Sequence, residues 1–287
     1  MGVGMTVALA PARLTSAVGA RVDDVDLRTV SDEEVGELLA ALHEHGVLVF
    51  RGQDMTQDEQ LAFTTRLGEV HAHPVREFLV GGGGDPISVV ENDADKPPQG
   101  DNHFHVDYSF GPEVPDLAVL RIEVVPPRGG DTIWSNVGAA YDALSAPMKE
   151  FLAGLTARHD AGEKFWFEMR RTLGEESAQK ARDHFDGNSH PVVAAHPVTG
   201  RPLLFVNPGY TIAINELGDR EGAGLLRILF EQIGDPAFHY KHLWNEGDVV
   251  IWDEHLTAHM GPSDFYPAHR RLVRVTAGQR APVALGA

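Results

Sequence analysis

A chain of 287 residues with 42 acidic and 24 basic side chains carries a formal charge of −18, which opposes binding to nucleic acid or an anionic membrane and favours solubility. It contains no cysteine, so disulfide frameworks and thiolate metal sites are excluded, and any metal has to be held by histidine and carboxylate. The N-terminal stretch has no basic start and no continuous apolar core, and no apolar run approaches membrane-spanning length, so cytoplasmic is the expected compartment.

No Pro-, Ser- or Gly-rich linker divides residues 1–287, which predicts a single domain with insertions. Short apolar pieces around Val18 to Val22 suit an entry strand. Ser31 precedes Glu34 in a capping-box pattern, and Val35, Leu38, Leu39 and Leu42 recur at helical spacing up to the stop at Gly46. Val47 to Phe50 is a short buried strand, and Thr56 with Glu59 opens a second capped helix that ends at Gly68. Between about residues 76 and 100 lie Gly81, Gly82, Gly83 and Gly84, then the strand-like Ile87 to Val90, then Pro97 and Pro98; four glycines lose much conformational entropy on ordering, which predicts a mobile loop outside the core. The run lacks the Lys-Ser/Thr ending of a phosphate-binding loop.

Beyond that loop the pattern is of strands. Asp101 to Phe110 reads as an extended strand, Ala118 to Val125 as another, Pro126 to Gly130 as a turn and Asp131 to Trp134 as the strand returning. Helical signals appear from Ser145 to Leu155. Residues 160–190 have mixed charge, aromatics at Phe165, Trp166 and Phe167 and no clean period, which suggests an insertion over a site. Leu203 to Val206 is a strand, residues 219–233 a helix, and residues 248–252 and 271–277 the closing strands. Many short strands with helices gathered at the flanks argue for an antiparallel β-sandwich or barrel carrying helices.

An extended strand sends alternate side chains to one face, so His105 and Asp107 can reach a single ion. Alone, the pair reads as a surface histidine beside a solvated acid. With a further histidine it becomes a set of two imidazoles and one carboxylate that leaves coordination positions open, the arrangement of non-haem Fe(II) oxygenases. His255 and His259 both compete for that third place, and His103 shares the parity of His105 as a neighbour of the site. Ten residues separate His259 from Arg270.

His105-x-Asp107, His259 and Arg270 together resemble the His-x-Asp…His-x10-Arg signature of the Fe(II)/2-oxoglutarate-dependent dioxygenases, in particular the taurine and 2,4-dichlorophenoxyacetate dioxygenase (TauD/TfdA) family. Other matching stretches run in order along the chain, among them Phe50-Arg51-Gly52-Gln53, His73-Pro74, Pro126-Pro127-Arg128-Gly129-Gly130-Asp131-Thr132, Phe205-Val206-Asn207 and Gly247-Asp248-Val249-Val250-Ile251-Trp252-Asp253. The resemblance implies a mainly β fold with flanking helices around a double-stranded β-helix, the cupin-like jelly roll. It selects His259 as the third metal ligand and places Arg270 and Thr132 on 2-oxoglutarate. A guanidinium offers that co-substrate a planar bidentate fork. His73, Asp101, Tyr108, Phe165, Tyr210 and Arg274 would line the substrate pocket, with Trp134 and Trp252 as wall or core aromatics.

The implied reaction uses Fe(II), 2-oxoglutarate and O2, releases succinate and CO2, and oxidises, most simply by hydroxylation, a small organic substrate. Arg274 lies four residues beyond Arg270 on the same strand face, and with His73 it predicts an anionic substrate, unless an internal acid such as Asp101 pairs with it instead. The chain departs from the family pattern at Phe104, Asp101, Arg76 and Tyr108, all near that pocket, which puts taurine itself in doubt. A larger neutral specialised metabolite oxidised by the same chemistry is the alternative. Two other classes stand beside it: a metal-dependent hydrolase or isomerase, against which Arg270 and Thr132 speak, and a ligand-binding jelly roll without catalysis. A homo-oligomer rests on the resemblance alone.

Overall fold

The computed structural model describes residues 9–98 and 102–286. Its largest sheet has eight strands. Ala12–Arg13, Ala20–Arg21, Val47–Phe50, Val249–Asp253, Leu117–Val124, Arg270–Ala277 and Val70–His71 follow one another across it, and Ser88–Asn92 adds to the Arg270–Ala277 strand. Neighbours are antiparallel except Ala20–Arg21 beside Val47–Phe50. The central strands read as unbroken apolar runs because both of their faces are covered. Leu48, Phe50, Val119, Val249 and Ile251 pack with Leu38, Leu42, Phe63 and Leu67 of the helices Asp32–His45 and Gln57–Leu67. The alternate set, Val47, Val49, Ala118, Leu120, Ile122, Val250, Trp252 and Leu272, packs with Trp134 in the interior. Trp134 belongs to a three-stranded sheet of His239–His242, Thr132–Asn136 and Thr257–Met260. Two stacked layers with helices outside make the double-stranded β-helix, mainly β with flanking helices.

Local chemistry explains the element ends. The Ser31 side chain accepts the Glu34 N–H at 3.2 Å, and the Glu34 carboxylate accepts the Ser31 N–H at 2.6 Å. Thr56 and Glu59 repeat the device, which satisfies orphan donors of each first turn. Gly46 closes the first helix at φ 72°. A Cβ there would lie 3.0 Å from Thr257 Cγ2, so conformation and close approach both require glycine.

Two segments differ from the sequence expectation. Residues 76–98 are not one mobile loop, and the strand-like piece around Ile87 to Val90 is a paired strand. The helix Pro74–Val80 runs into them, and Ser88–Asn92 pairs residue for residue with Arg274 back to Arg270. The outer edge of the Arg270–Ala277 strand needs a hydrogen-bonding partner, and this segment supplies it. Residues 160–190 hold two helices, Gly162–Leu173 and Glu175–His184, parted at Gly174. Their periodicity is hard to read because Trp166, Ala178 and Ala181 are the few residues they bury. Among the described residues, no helix is long and apolar enough to cross a membrane.

Candidate metal centre and active site

His105 and His259 are brought together by backbone pairing. The His105 N–H donates to the His259 carbonyl at 2.9 Å and the His259 N–H to the His105 carbonyl at 2.8 Å, an isolated antiparallel bridge that sets the two rings 4.3 Å apart. Gly209 backs the pair; a Cβ on it would lie 2.8 Å from His105 Cβ. The expected strand through Asp107 is absent. The chain leaves the bridge at His105 and turns from Asp107 to Phe110, with Tyr108 at φ 59° and Gly111 N–H closing on the Tyr108 carbonyl at 2.8 Å. A turn delivers the carboxylate to the same place as a strand would. A positive φ at a bulky residue is uncommon and marks a position that its surroundings over-determine.

The three side chains suit an ion. His105 Nε2, Asp107 Oδ1 and His259 Nε2 approach at 3.7 and 4.0 Å across the carboxylate, and all three residues offer ligand atoms within 4.8 Å of one another. Those gaps are too long for hydrogen bonds. Two atoms each about 2.1 Å from one ion are at most about 4.2 Å apart, so the spacing accommodates a metal. His105 Nδ1 lies 3.1 Å from the His103 carbonyl, which must accept its proton and so leaves the Nε2 lone pair free for a ligand bond. Burial opposes a charge on Asp107, yet the Arg274 guanidinium and then the His259 and His105 rings hold its carboxyl well below the usual range. Burial first, then His105, pushes His259 well below the ordinary imidazole value. An ionised carboxylate with a neutral imidazole is the state a divalent cation requires.

Asp107 uses its other oxygen for Arg274, whose Nη1 donates to Oδ2 at 2.6 Å. Arg274 Nη2 donates to the Tyr108 hydroxyl at 3.3 Å. Burial opposes the Arg274 charge, but Asp107 raises its pKa above the ordinary arginine value. Its internal partner is therefore Asp107; Asp101, the acid expected from sequence, lies outside the described residues.

Arg270, Leu272 and Arg274 share one face of their strand, and a cavity of about 650 Å³ opens against it. His105, His259, Thr132, Arg270, Trp252 and Phe265 line it. Arg270 is buried and its Nε finds no hydrogen-bond partner. Burial pulls its pKa down to about 10. The acids that act on it are engaged elsewhere, Asp131 with Lys241 at 2.7 Å and Asp264 with the Gly130 N–H at 2.8 Å. The Thr132 hydroxyl accepts the Trp244 indole N–H at 3.1 Å, which leaves its own proton to donate. A buried cation and a hydroxyl donor lining one cavity are an arrangement that could bind an anion.

A second cavity of about 410 Å³ lies on the other side of His105, lined by His103, Phe165, Glu168, Gly209 and Tyr210 among others. His73 caps the Pro74–Val80 helix through Val75 N–H at 3.3 Å, and burial, then Arg274 and Arg76, lowers its pKa to about 4. Its ring sits 4.9 Å from Tyr108 and is stacked 6.2 Å from Phe165. Tyr210 meets His105 edge-on at 6.0 Å. Burial pushes the Tyr108 phenol up to about 12 and raises Tyr210 further, so both rings are neutral donors. Of the expected pocket residues, Phe165 and Tyr210 line the cavity, while His73 and Tyr108 pack beside it.

His103 is exposed and touches the site through its carbonyl. His255 is buried and faces Asp116 at 3.3 Å, away from the ligand set. Sequence reasoning missed Trp244, which orients Thr132, and Glu254, whose fully buried carboxylate accepts the Asp107 N–H at 3.1 Å. Burial and then the Asp107 charge raise the Glu254 pKa well above the carboxylate range. The available signal was Asp253-Glu254-His255, a polar cluster placed inside an apolar run.

Residues 10–276 match the family model described as taurine catabolism dioxygenase TauD, TfdA family. The alpha-ketoglutarate-dependent 2,4-dichlorophenoxyacetate dioxygenase of Cupriavidus pinatubonensis is 34% identical over 95% of this chain and 98% of its own length. Pentalenolactone F synthase of Streptomyces avermitilis is 32% identical over 90% of each. A taurine dioxygenase crystal structure from Burkholderia xenovorans superposes with a TM-score of 0.79 at 28% identity, covering 97% of this chain and 93% of that one.

Proposed function

We propose that His105, Asp107 and His259 hold iron and that Arg270 and Thr132 hold 2-oxoglutarate, because the chain belongs to the taurine catabolism dioxygenase TauD, TfdA family and is an Fe(II)/2-oxoglutarate-dependent dioxygenase. It uses Fe(II), 2-oxoglutarate and O2 to oxidise a small organic substrate. The observation that carries the residue assignment is the Arg270 guanidinium, buried in the ligand cavity with its Nε unpartnered. A hydrolase or a plain ligand-binding jelly roll has no use for that second anion cradle.

Bound iron and co-substrate supply the oxidising power, with 2-oxoglutarate leaving as succinate and CO2 while oxygen enters the substrate. The chain supplies orientation and dryness. Arg270 and Thr132 would hold the far carboxylate of 2-oxoglutarate in the cavity that His105 and His259 also line. Arg274 holds Asp107 Oδ2 and leaves Oδ1 aimed at the histidines. Leu120, Trp252, Phe265 and Leu272 form the apolar part of the wall of the cavity assigned to 2-oxoglutarate.

For the substrate we propose a small organic anion, an aryloxy acid or a similar carboxylate or sulfonate, in the cavity between His105, Phe165 and Tyr210, with Arg274, which lines the neighbouring cavity on the other side of His105, as the cation it would turn toward. The relative named for 2,4-dichlorophenoxyacetate supports a carboxylate, and Phe165 and Tyr210 offer aromatic surface. One observation favours a second reading: the Arg274 charge is already met by Asp107, which suits a neutral and larger substrate, as does the relative named for pentalenolactone F. The net charge of −18 supports an enzyme of small molecules rather than of nucleic acid or membrane; a cytoplasmic location and assembly into a homo-oligomer belong to the same proposal, the second on family grounds.

Succinate release from 2-oxoglutarate with Fe(II), ascorbate and air, in the presence of paired anionic compounds and their neutral amides or esters, tests both levels. Turnover of the anions, lost with their amides, is the expected result. Equal turnover of the neutral forms moves the substrate to the second reading, and absence of 2-oxoglutarate consumption with every compound overturns the residue assignment.

A further inference from the structure

Behind Asp107 lies a carboxylate that the reaction above does not use. Glu254 is 0% exposed. Its Oε2 accepts the Asp107 backbone N–H at 3.1 Å, and its Oε1 accepts the Trp252 indole N–H at 2.7 Å. Its own N–H donates to the Asp116 carbonyl at 3.1 Å, so the residue is anchored at both ends. Burying a carboxyl group next to a second carboxylate is costly, and an apolar side chain of the same size would avoid that cost. It would also leave two buried N–H groups without acceptors. Glutamine has one acceptor oxygen and would turn an NH2 toward the other donor. The two donors come from different segments and meet different oxygens of one side chain, and at this position a carboxyl group offers a lone pair on each oxygen.

Both donors belong to groups that set the ligands. Asp107 N–H belongs to the turn that aims the Asp107 carboxylate, and the Trp252 ring packs 4.9 Å from His259. We propose that Glu254 is a positioning residue of the metal centre, fixing Asp107 through its backbone and His259 through Trp252. This rests on the assignment of His105, Asp107 and His259 as ligands.

Mn(II) titration of the metal-free protein by calorimetry, alongside heat unfolding without metal, tests it. Glu254→Ala is expected to bind Mn(II) about 10- to 100-fold more weakly, the usual consequence of removing a partner that orients a metal ligand. Glu254→Gln keeps the packing and one acceptor, and loses less. Trp252→Phe cuts the link from Glu254 to His259 and is expected to weaken Mn(II) binding as well, with Trp252→Phe/Glu254→Gln weakened by less than the two single effects combined, because both act on one hydrogen bond. A lowered melting temperature with unchanged Mn(II) affinity in Glu254→Ala, or in Glu254→Gln if the alanine variant does not fold, overturns the proposal. Wild-type protein that binds no Mn(II), or binds it equally after His105→Ala, overturns the ligand assignment instead.

Discussion

At the two ends of the Asp253–His259 segment stand two clusters of the same composition. His105, Asp107 and His259 form one, His43, His196 and Asp253 the other, each with its potential ligand atoms inside 4.8 Å. In the second cluster His43 Nδ1 and His196 Nε2 touch Asp253 Oδ2 at 2.9 and 2.8 Å, hydrogen-bond distances. Asp253 Oδ1 accepts the His255 and Leu256 N–H groups, each at 3.0 Å. His196 Nδ1 accepts two backbone N–H groups, from Val198 and Thr199, each at 3.1 Å. Its proton must then sit on Nε2, and no lone pair remains for an ion. In the first cluster His105 donates from Nδ1 instead, and the facing atoms stand 3.7 and 4.0 Å apart. Composition therefore does not make a metal site. What differs is whether the rings keep a lone pair facing the cluster, as His105 does by donating from Nδ1 and His196 does not.

The largest effects fall on the open cluster. His105→Ala, Asp107→Ala and His259→Ala are each expected to reduce Fe(II)-dependent succinate formation to background, since two remaining ligands do not hold iron facially. Heating with and without Mn(II) sharpens the contrast: these variants fold but gain no stability from the ion, whereas His196→Ala melts earlier and still gains it. If His196→Ala also loses the Mn(II) effect while folded, the two clusters are not distinct.

Next comes the cation beside the open cluster. Arg270→Ala is expected to raise the 2-oxoglutarate requirement by roughly 3–5 kcal/mol, the cost of leaving one partner of a buried charged pair alone. Mn(II) affinity without 2-oxoglutarate should not move, because Arg270 is outside the ligand set. An unaltered KM for 2-oxoglutarate would place the co-substrate elsewhere.

The closed cluster answers to stability and pH. Burial opposes the Asp253 charge, but the hydrogen bonds from His196 and His43 hold its carboxyl well below the carboxylate range. A folded value below the unfolded one means that the stabilisation is complete above the unfolded pKa, about 3.9, and is lost as pH falls through the folded value. Asp253→Asn is therefore expected to lower stability at neutral pH by about 2–4 kcal/mol and to flatten the acid limb of a urea-midpoint titration below about pH 4. A midpoint that drops as steeply with acid in the variant as in the wild type would release Asp253 from the role.

The two clusters also show why some of this molecule was legible in advance. The helices Asp32–His45 and Gln57–Leu67 announce themselves by caps and apolar spacing within a few residues, and the parity of Arg270 and Arg274 beside Leu272 follows from strand geometry alone. The form of the Asp107 segment did not follow, because parity says only that two side chains share a face. A bridge to His259, 154 positions away, followed by a turn satisfies the same condition. The helices Gly162–Leu173 and Glu175–His184 were hidden by burying so little. Glu254 meeting Asp107 and Arg274 meeting Asp107 are contacts across 147 and 167 residues, and no local pattern encodes them.

The smallest effect concerns what Arg274 does besides holding Asp107. Its Nη1 is committed at 2.6 Å, but its Nη2 reaches only the Tyr108 hydroxyl at 3.3 Å, a long contact made by a residue in the left-handed region. If a substrate anion uses Nη2, it must displace that hydroxyl. Tyr108→Phe removes the competitor and keeps the ring against His73. One neutral hydrogen bond is worth about 0.5–1.5 kcal/mol, and one to a charged group about 1.5–3; at 3.3 Å the lower range applies. The KM for an anionic substrate should then fall by about two- to tenfold with kcat little changed, and the KM of its neutral amide should stay where it is. An equal shift for both compounds would mean that Tyr108 acts on pocket shape and that the anion does not reach Arg274. A rise for the anion alone would mean that the phenol itself donates to the substrate, which its neutral state allows.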